Sequence, residues 1–315
     1  MEEGMWDYLE HLTGDLPQPM LRDNHVSWKV YKTLFPKHSM LLQQWGIGHA
    51  QFIWNLRENR KLIEPFSQLY SVDPEDLLVS FDGASFHFPP ETLGTGWYTG
   101  KGWLHTDQSY TRNKFMCVQS WVTAREVNAG DATLTFLESS NNFHAAFAKE
   151  FDIHSTSDWF KLDKPQTDFY LDRGCTQKCI KCPAGSMVFW DSRTIHAGQE
   201  CLRQRAKPNL RCVVYLCYTP RSMATEALLK KKREAFESLR TTNHYPHKPK
   251  LFPVVPHTYG APIPSPLRSV QRPVVGTLGE LLAGGVYPKI QQIPQVKQVL
   301  PKIRIKVKAR AETDT

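Results

Sequence analysis

Six short segments between residues 101 and 218 constrain the fold of this chain more than any other feature. Each is rich in β-branched or aromatic residues and is bounded by turn-forming residues, as at 128–131 and 183–185. Helical periodicity is nearly absent here, with one possible helix near 143–150. Such a pattern is typical of a sandwich, barrel or jelly roll rather than of βαβ units. The segments are 103–108, 115–122, 132–137, 180–182, 186–190 and 211–218.

The regions on either side of these segments predict helices and one more strand. Apolar residues recur at helical spacing between residues 46 and 67, and an apolar stripe runs through 225–240. The lysines of this second helix are better explained by a solvent-exposed face than by a nucleic-acid-binding patch. Residues 77–82 have the composition of a buried strand, and the run 84–88 ends at the Pro-Pro pair 89–90. The sequence therefore predicts a mainly β core flanked by helices.

The C-terminal part of the chain differs in composition from the rest. Prolines recur after residue 250, and residues 261–315 hold nine Lys or Arg against three Asp or Glu, which is +6 of the total charge of +8. We expect a domain over 1–260 and a Pro-rich, basic, partly disordered extension over 261–315, with a small element at 278–283. Residues 302–308 could form an edge strand, fold on a partner or stay disordered. The basic charge suggests an acidic partner, and a merely solubilising role is equally open.

Composition also indicates the cellular setting. No run of about 18 apolar residues occurs, so we expect no membrane span. The acidic start Met-Glu-Glu-Gly-Met-Trp-Asp does not resemble a secretory signal. Seven cysteines, an odd number, do not suggest a disulfide framework. A soluble, intracellular protein in a reducing setting is the expectation.

His105 and Asp107 lie one residue apart inside the first of the six segments. In a strand, side chains at i and i+2 point to the same face, so the imidazole and the carboxylate converge. His196 follows later, at the end of another predicted strand. Two histidines and one carboxylate with open positions opposite them form the facial triad of non-haem Fe(II) oxygenases. A His-x-Asp pair alone is more often structural, so this hypothesis depends on all three residues meeting.

Arg211 begins the predicted strand that follows His196. A 2-oxoacid cosubstrate that chelates iron needs a cation for its far carboxylate, and arginine offers a two-pronged donor that stays charged. Arg203 and Arg205 are also near in sequence, but they lie in a polar segment beside Glu200. Arg211 is therefore the preferred candidate.

The motifs around these residues resemble those of the phytanoyl-CoA dioxygenase-like group of Fe(II)/2-oxoglutarate-dependent oxygenases. They are His105-x-Asp107, the run from Gly185 to Gly198 that contains His196, and Asn209-Leu-Arg211 ahead of a strand. The resemblance covers roughly residues 75–220.

The resemblance implies a double-stranded β-helix (jelly roll), Fe(II), O2 and 2-oxoglutarate, with release of CO2 and succinate. It implies that His105, Asp107 and His196 bind iron, that Arg211 binds the C5 carboxylate of 2-oxoglutarate, and, more weakly, that Trp121 lines the cosubstrate pocket. Related halogenases replace the metal-binding Asp, so Asp107 favours hydroxylation. The substrate, small or macromolecular, is left open. The alternative is a non-catalytic jelly-roll binding or scaffold protein.

Three other groups of residues are candidate sites. Cys175, Cys179 and Cys182 have the C-x3-C-x2-C spacing of a three-thiolate cluster, but the context favours thiols in a loop and strand, with zinc as the alternative. Asp191 and Arg193 are expected to pair structurally. Ser80 and Asp82 are weaker candidates for the pocket wall.

Overall fold

The structure, a computed structural model, describes residues 1–286. Eight α-helices are found in this part of the chain, with a ten-residue 3-10 segment at His25–Leu34. The α-helices are α1 Glu2–Thr13, α2 Gln51–Arg57, α3 Arg60–Tyr70, α4 Pro90–Leu93, α5 His144–Glu150, α6 Lys164–Leu171, α7 Glu226–Glu237 and α8 Thr277–Leu282. The strands are β1 Leu41–Leu42, β2 Leu77–Val79, β3 Ala84–His87, β4 His105–Thr106, β5 Val118–Thr123, β6 Thr133–Leu137, β7 Phe160–Lys161, β8 Gln177–Cys179, β9 Met187–Asp191, β10 His196–Gln199, β11 Arg211–Tyr215 and β12 Tyr218–Pro220.

Two five-stranded sheets form the centre of the fold. The first has the order β1-β3-β11-β5-β9 and the second β7-β4-β10-β6-β8, and every strand pair in both is antiparallel. A smaller pair joins β12 to β2. The two sheets pack against each other, since Trp121 and Trp190 of the first share a buried cluster with Leu134 of the second. The mostly antiparallel sheets with flanking helices agree with the predicted mainly β class.

Alternation along β11 shows how the first sheet separates two environments. Val213 and Tyr215 face the second sheet, whereas Cys212 and Val214 pack into a large core that includes residues of α1, α2 and α3. The outer face of the second sheet is covered by α5 and α6 through a cluster of aromatic side chains. The inner faces of the two sheets thus enclose a space shielded by helices on both sides.

The predicted helices are present, with shifted bounds. The helical pattern over 46–67 is divided into α2 and α3, because the Asn59 side chain accepts a hydrogen bond from the Lys61 N–H and starts a new helix. The helices near 143–150 and 225–240 and the element at 278–283 correspond to α5, α7 and α8. Three helices were missed in the sequence, α1, α4 and α6.

The predicted strands differ from the observed ones mainly at their ends. Residues 103–108 contain only the two-residue strand β4. The segment 211–218 is split into β11 and β12, which join different sheets. The strand predicted at 180–182 lies at the wrong position along the chain. The observed strand β8 is Gln177–Cys179, and Cys182 forms an isolated bridge with Val127.

Residues Met1–Gly285 form one compact unit. Within it the segment after residue 260 is packed: Arg268 contacts Asp15, and Leu281 and Leu282 are buried. The predicted boundary at residue 260 stays a prediction, and the segment 302–308, for which an edge strand, folding on a partner and disorder were all open, lies outside the described residues. None of the helices within residues 1–286 is long and apolar enough to cross a membrane.

Candidate metal centre and cosubstrate pocket

His105 and His196 lie directly opposite each other on two neighbouring strands. β4 pairs with β10 so that His196 is the register partner of His105. Directly opposed residues of an antiparallel pair point to the same face, so the two imidazoles meet, with ring centroids 4.4 Å apart. The sheet register therefore brings together two residues that are far apart in the chain.

Asp107 completes the cluster immediately after β4. Its Oδ1 lies 3.5 Å from His105 Nε2, and its Oδ2 lies 3.3 Å from His196 Nε2. One possible ligand atom from each residue lies within 4.8 Å of the others, and all three residues are buried. The structure thus places the three predicted residues together.

The second ring nitrogen of each histidine fixes its orientation. His105 Nδ1 lies 3.1 Å from the Trp103 carbonyl, and His196 Nδ1 lies 2.9 Å from the Thr194 carbonyl. Since a carbonyl only accepts, Nδ1 must carry the proton in both rings, which leaves Nε2 with a free lone pair. Both lone pairs are thereby available on the side of Asp107.

Asp107 is held as a carboxylate. Burial opposes its ionisation, but the nearby imidazoles of His105, His244 and His196 hold the pKa of Asp107 well below its usual range. Gln119 Nε2 donates a 2.8 Å hydrogen bond to Oδ2. The Tyr245 hydroxyl donates to the Asp107 carbonyl at 3.2 Å. The carboxylate is therefore both charged and fixed in orientation.

These residues fit a divalent transition metal. Imidazole and carboxylate together suit iron, and ligand bonds of about 2.0–2.2 Å place neighbouring donor atoms about 3 Å apart, close to the separations between Asp107 and the histidines. Burial lowers the pKa of His105, and the His196 imidazole lowers it further, so His105 is neutral and able to bind a metal. Three protein donors leave the other positions of an octahedral ion open.

A turn between β9 and β10 ties His196 to the strand that bears His105. Ser192 Oγ donates to Gln108 Oε1 at 2.7 Å, and the Gln108 N–H donates to the Ser192 carbonyl at 3.1 Å. Asp191 and Arg193 form an ion pair at 2.6 Å in the same turn, which confirms the structural pairing expected from the sequence.

Arg211 lies on the facing sheet, at the start of β11. It is buried, and its Nε donates to Ser85 Oγ at 2.9 Å. The Tyr215 hydroxyl also hydrogen-bonds to Arg211. No carboxylate among residues 1–286 forms an ion pair with this guanidinium. A buried charge without a counterion is costly, so the site is suited to an anionic ligand.

Arg205, the rival candidate, is already neutralised. Its guanidinium pairs with Glu91 at 2.5 Å and with Asp131 at 3.2 Å, and it lies 5.9 Å from the Trp97 ring. Arg203 lies at 5.1 Å over the same indole. Arg211 alone of the three combines burial with the absence of an acidic partner among the described residues.

Trp121 lies under Arg211, with the guanidinium carbon 5.4 Å from its ring centroid. Its indole is fully buried, yet Nε1 has no hydrogen-bond partner in the described part of the chain, and the same holds for Trp190, whose ring lies 5.4 Å from that of His196. Unpaired buried donors are rare in folded proteins. One of these donors lies beside Arg211 and the other beside His196. A small ligand with several oxygens could accept hydrogen bonds from both.

The three cysteines of the C-x3-C-x2-C motif lie in different surroundings. Cys175 is buried in the aromatic cluster under α6, Cys179 is exposed on β8, and Cys182 is partly buried at a bridge to Val127. They do not form a group able to hold a metal within residues 1–286, where His105, Asp107 and His196 form such a group.

The weaker candidates lie next to the site. The Asp82 carbonyl accepts a 3.1 Å hydrogen bond from Arg57, and burial raises the pKa of Asp82 to about 7. Ser80 Oγ accepts from the Cys217 N–H. The sequence analysis did not predict that Gln119 and Ser85 belong to the site. Gln119 could have been found, because residues two apart in a strand share a face and Trp121 was already a candidate.

Comparison with known proteins adds a distant relative and some solved structures. No family model matches the chain. "Ava biosynthesis cluster protein O" of Aspergillus versicolor is 28% identical over 212 residues, which are 65% of this chain and 66% of that protein, just under two thirds of its length.

Two of the similar solved structures illustrate the structural likeness. GIG2 (DUF1479) from Candida albicans has a TM-score of 0.41 at 15% identity, over 70% of this chain and 64% of that one. HygX from Streptomyces hygroscopicus, with nickel and 2-oxoglutarate bound, has a TM-score of 0.34 at 12% identity, over 53% of this chain and 64% of that one. These scores are low, and the function proposed below is based on the site geometry.

Proposed function

We propose that this chain is an Fe(II)- and 2-oxoglutarate-dependent dioxygenase that hydroxylates a substrate and releases CO2 and succinate. The observation that carries the proposal is that the His105–Asp107–His196 cluster on one sheet faces a buried Arg211 on the other, which has no carboxylate partner among residues 1–286. Bound iron supplies open coordination positions for the oxo-acid and for dioxygen. The protein supplies three buried donors, a cation for the far carboxylate and a water-excluding pocket.

Strand β5 supports both halves of this assignment. Gln119 contacts Asp107, and Trp121 lies under Arg211, two residues further along. Residues at i and i+2 share a face and are about 7 Å apart. One strand thus spans from the metal cluster to the cation, which supports an elongated dicarboxylate as the ligand between them.

The same residues support a more specific assignment of the fold and of the reaction. We propose a double-stranded β-helix of the phytanoyl-CoA dioxygenase-like type, with Trp121 in the wall of the cosubstrate pocket. The carboxylate of Asp107 favours hydroxylation, since halogen transfer in related enzymes uses a smaller residue there. The name of the Aspergillus versicolor relative refers to a biosynthesis cluster. A small molecule is accordingly the substrate we propose for this chain.

Succinate formation tests this proposal. Purified protein with Fe(II), ascorbate and 2-oxoglutarate should form succinate in air even without substrate, and His105→Ala should abolish it. The matched control is His154→Ala, which removes an exposed imidazole whose partner among residues 1–286 is Asp152. Binding of metal and 2-oxoglutarate without succinate would indicate the non-catalytic alternative. Absence of metal binding would refute the proposal outright.

A further inference from the structure

A cavity of about 530 Å³ lies beside the metal cluster and is not lined by it. Three parts of the chain enclose it: the segment 31–44, the end of β3 with the residues up to 96, and the segment 252–259. Its volume lies within the roughly 300–1,000 Å³ that small-molecule sites span. The aromatic and prolyl residues of its wall are Tyr31, Phe35, Pro36, Phe88, Phe252, Pro253, Pro256 and Tyr259.

The charged side chains of the cavity wall are all basic. Lys32 and Lys37 line it, together with three histidines, and no Asp or Glu is among the lining residues. Both lysines are exposed. Burial lowers the pKa of His38 and of His87 to about 4, and the ammonium groups of Lys32 and Lys37 carry positive charge at neutral pH. A ligand with an anionic group and an apolar body would match this wall.

Stacked rings connect the cavity to the metal cluster. His38, in the wall, stacks on Trp103 at 3.9 Å between ring centroids, and Trp103 stacks on His105 at 4.8 Å. His38 Nε2 is buried and lacks a hydrogen-bond partner among residues 1–286. Lys37 gives a second connection, since its Nζ lies 5.2 Å from the Trp159 ring, which is 5.7 Å from the ring of His105.

The cavity also borders the cosubstrate side of the site. His87 lines it and is the register partner of Arg211, so the two side chains share a face of the first sheet. Ser85, which accepts the hydrogen bond from Arg211, lies on that face as well. The cavity is therefore adjacent to both halves of the proposed active site.

We propose that this cavity binds the substrate, and that the substrate is a small anionic molecule with a flat apolar body whose charge is held by Lys32 and Lys37. This assignment of a substrate class rests on the proposed function, but the binding property it implies does not need turnover. Trp103 and Trp159 then lie between the bound molecule and His105, at the side of the cavity that faces the metal cluster.

Two fluorescent probes that differ in one charged group test the cavity. 8-Anilinonaphthalene-1-sulfonate is a flat anion, and N-phenyl-1-naphthylamine is its uncharged analogue. In the full chain the double variant Lys32→Gln/Lys37→Gln should weaken binding of the sulfonate about three- to tenfold and leave the amine unchanged. Lys61→Gln, at an exposed lysine on α3 outside the cavity, is the matched control and should change neither.

A filled cavity gives an independent readout. Thr95→Trp, at an exposed position of the wall, should weaken both probes. Unchanged sulfonate affinity in the double lysine variant, an equal loss in Lys61→Gln, or retention of both probes in Thr95→Trp would each overturn the proposal. His196→Ala separates the two claims: it should abolish succinate formation and leave the affinity for both probes unchanged.

Discussion

At the scale of single residues, the orientation of Asp107 depends on Gln119. The amide donates at 2.8 Å to the same oxygen that lies 3.3 Å from His196 Nε2. Removing a hydrogen bond to a metal ligand typically costs 10- to 100-fold in metal affinity. We predict that Gln119→Leu weakens Fe(II) binding by about that factor, measured by anaerobic calorimetric titration.

The control for this prediction is Gln68→Leu, because Gln68 lies exposed on α3 and bonds only to Glu64 among the described residues. Its Fe(II) affinity should equal that of the unchanged protein. If Gln119→Leu also binds Fe(II) as tightly as the unchanged protein, the amide does not position the carboxylate.

The sequence identified the residues of the site better than their contacts. His105, Asp107, His196 and Arg211 could be named because their types and order follow from metal and carboxylate chemistry. Ser85 could not, since its hydrogen bond to Arg211 depends on the pairing of β3 with β11, and that register is not visible in a single sequence.

At the scale of elements, helix and strand types were easier to predict than their ends. The break between α2 and α3 depends on one capping side chain, Asn59, within an unbroken apolar pattern. The length of β4 is set by its neighbours, because it pairs with β10 through a single residue pair and with β7 through two. Local propensity cannot report such tertiary limits.

Helix α6 was missed because its apolar pattern is weak, and its start is set by a capping box. Asp163 accepts from the Gln166 N–H at 2.9 Å, and the Gln166 side chain accepts from the Asp163 N–H at 3.0 Å. We predict that Asp163→Ala lowers the free energy of unfolding by about 1 kcal/mol in urea denaturation. Asp23→Ala, at an exposed acid outside the helices, should change it little; equal effects would argue against the cap.

At the scale of the whole molecule, residues 261–285 belong to the same compact unit as the rest of Met1–Gly285. Leu282 of α8 is fully buried in the large core that contains α1, α2 and α3. We predict that Leu282→Ala costs about 2–5 kcal/mol of unfolding free energy. Val274→Ala, at an 82% exposed position, serves as the control. If the Leu282→Ala protein is as stable as the control, the folded domain ends nearer to residue 260.

The stability of the whole chain should depend on pH through His49. Burial and then the Arg57 charge lower the pKa of His49 from 6.5 to about 3 in the folded protein. The unfolded chain therefore takes up a proton first, so stability is full above pH 6.5 and falls as the pH drops towards 3. Between pH 7 and pH 5 the loss from this group is about 2 kcal/mol.

His49→Gln should remove this contribution. Its imidazole Nε2 lies 3.0 Å from the Arg240 carbonyl, a bond that a glutamine amide can donate. Urea denaturation at both pH values should show that the variant loses about 2 kcal/mol less than the unchanged protein. His154→Gln, an exposed control, should behave like the unchanged protein. Equal losses in all three proteins would contradict the assignment.

The central claim is one pocket that holds both a metal and a dicarboxylate, and an anaerobic optical titration tests it most directly. Fe(II) chelated by 2-oxoglutarate absorbs visible light by charge transfer, whereas neither component bound separately does. We predict that the band appears in the unchanged protein, is lost in Asp107→Ala, and in Arg211→Met requires about 10- to 100-fold more 2-oxoglutarate. Absence of the band in the unchanged protein, or equal titrations in all three proteins, would contradict the account.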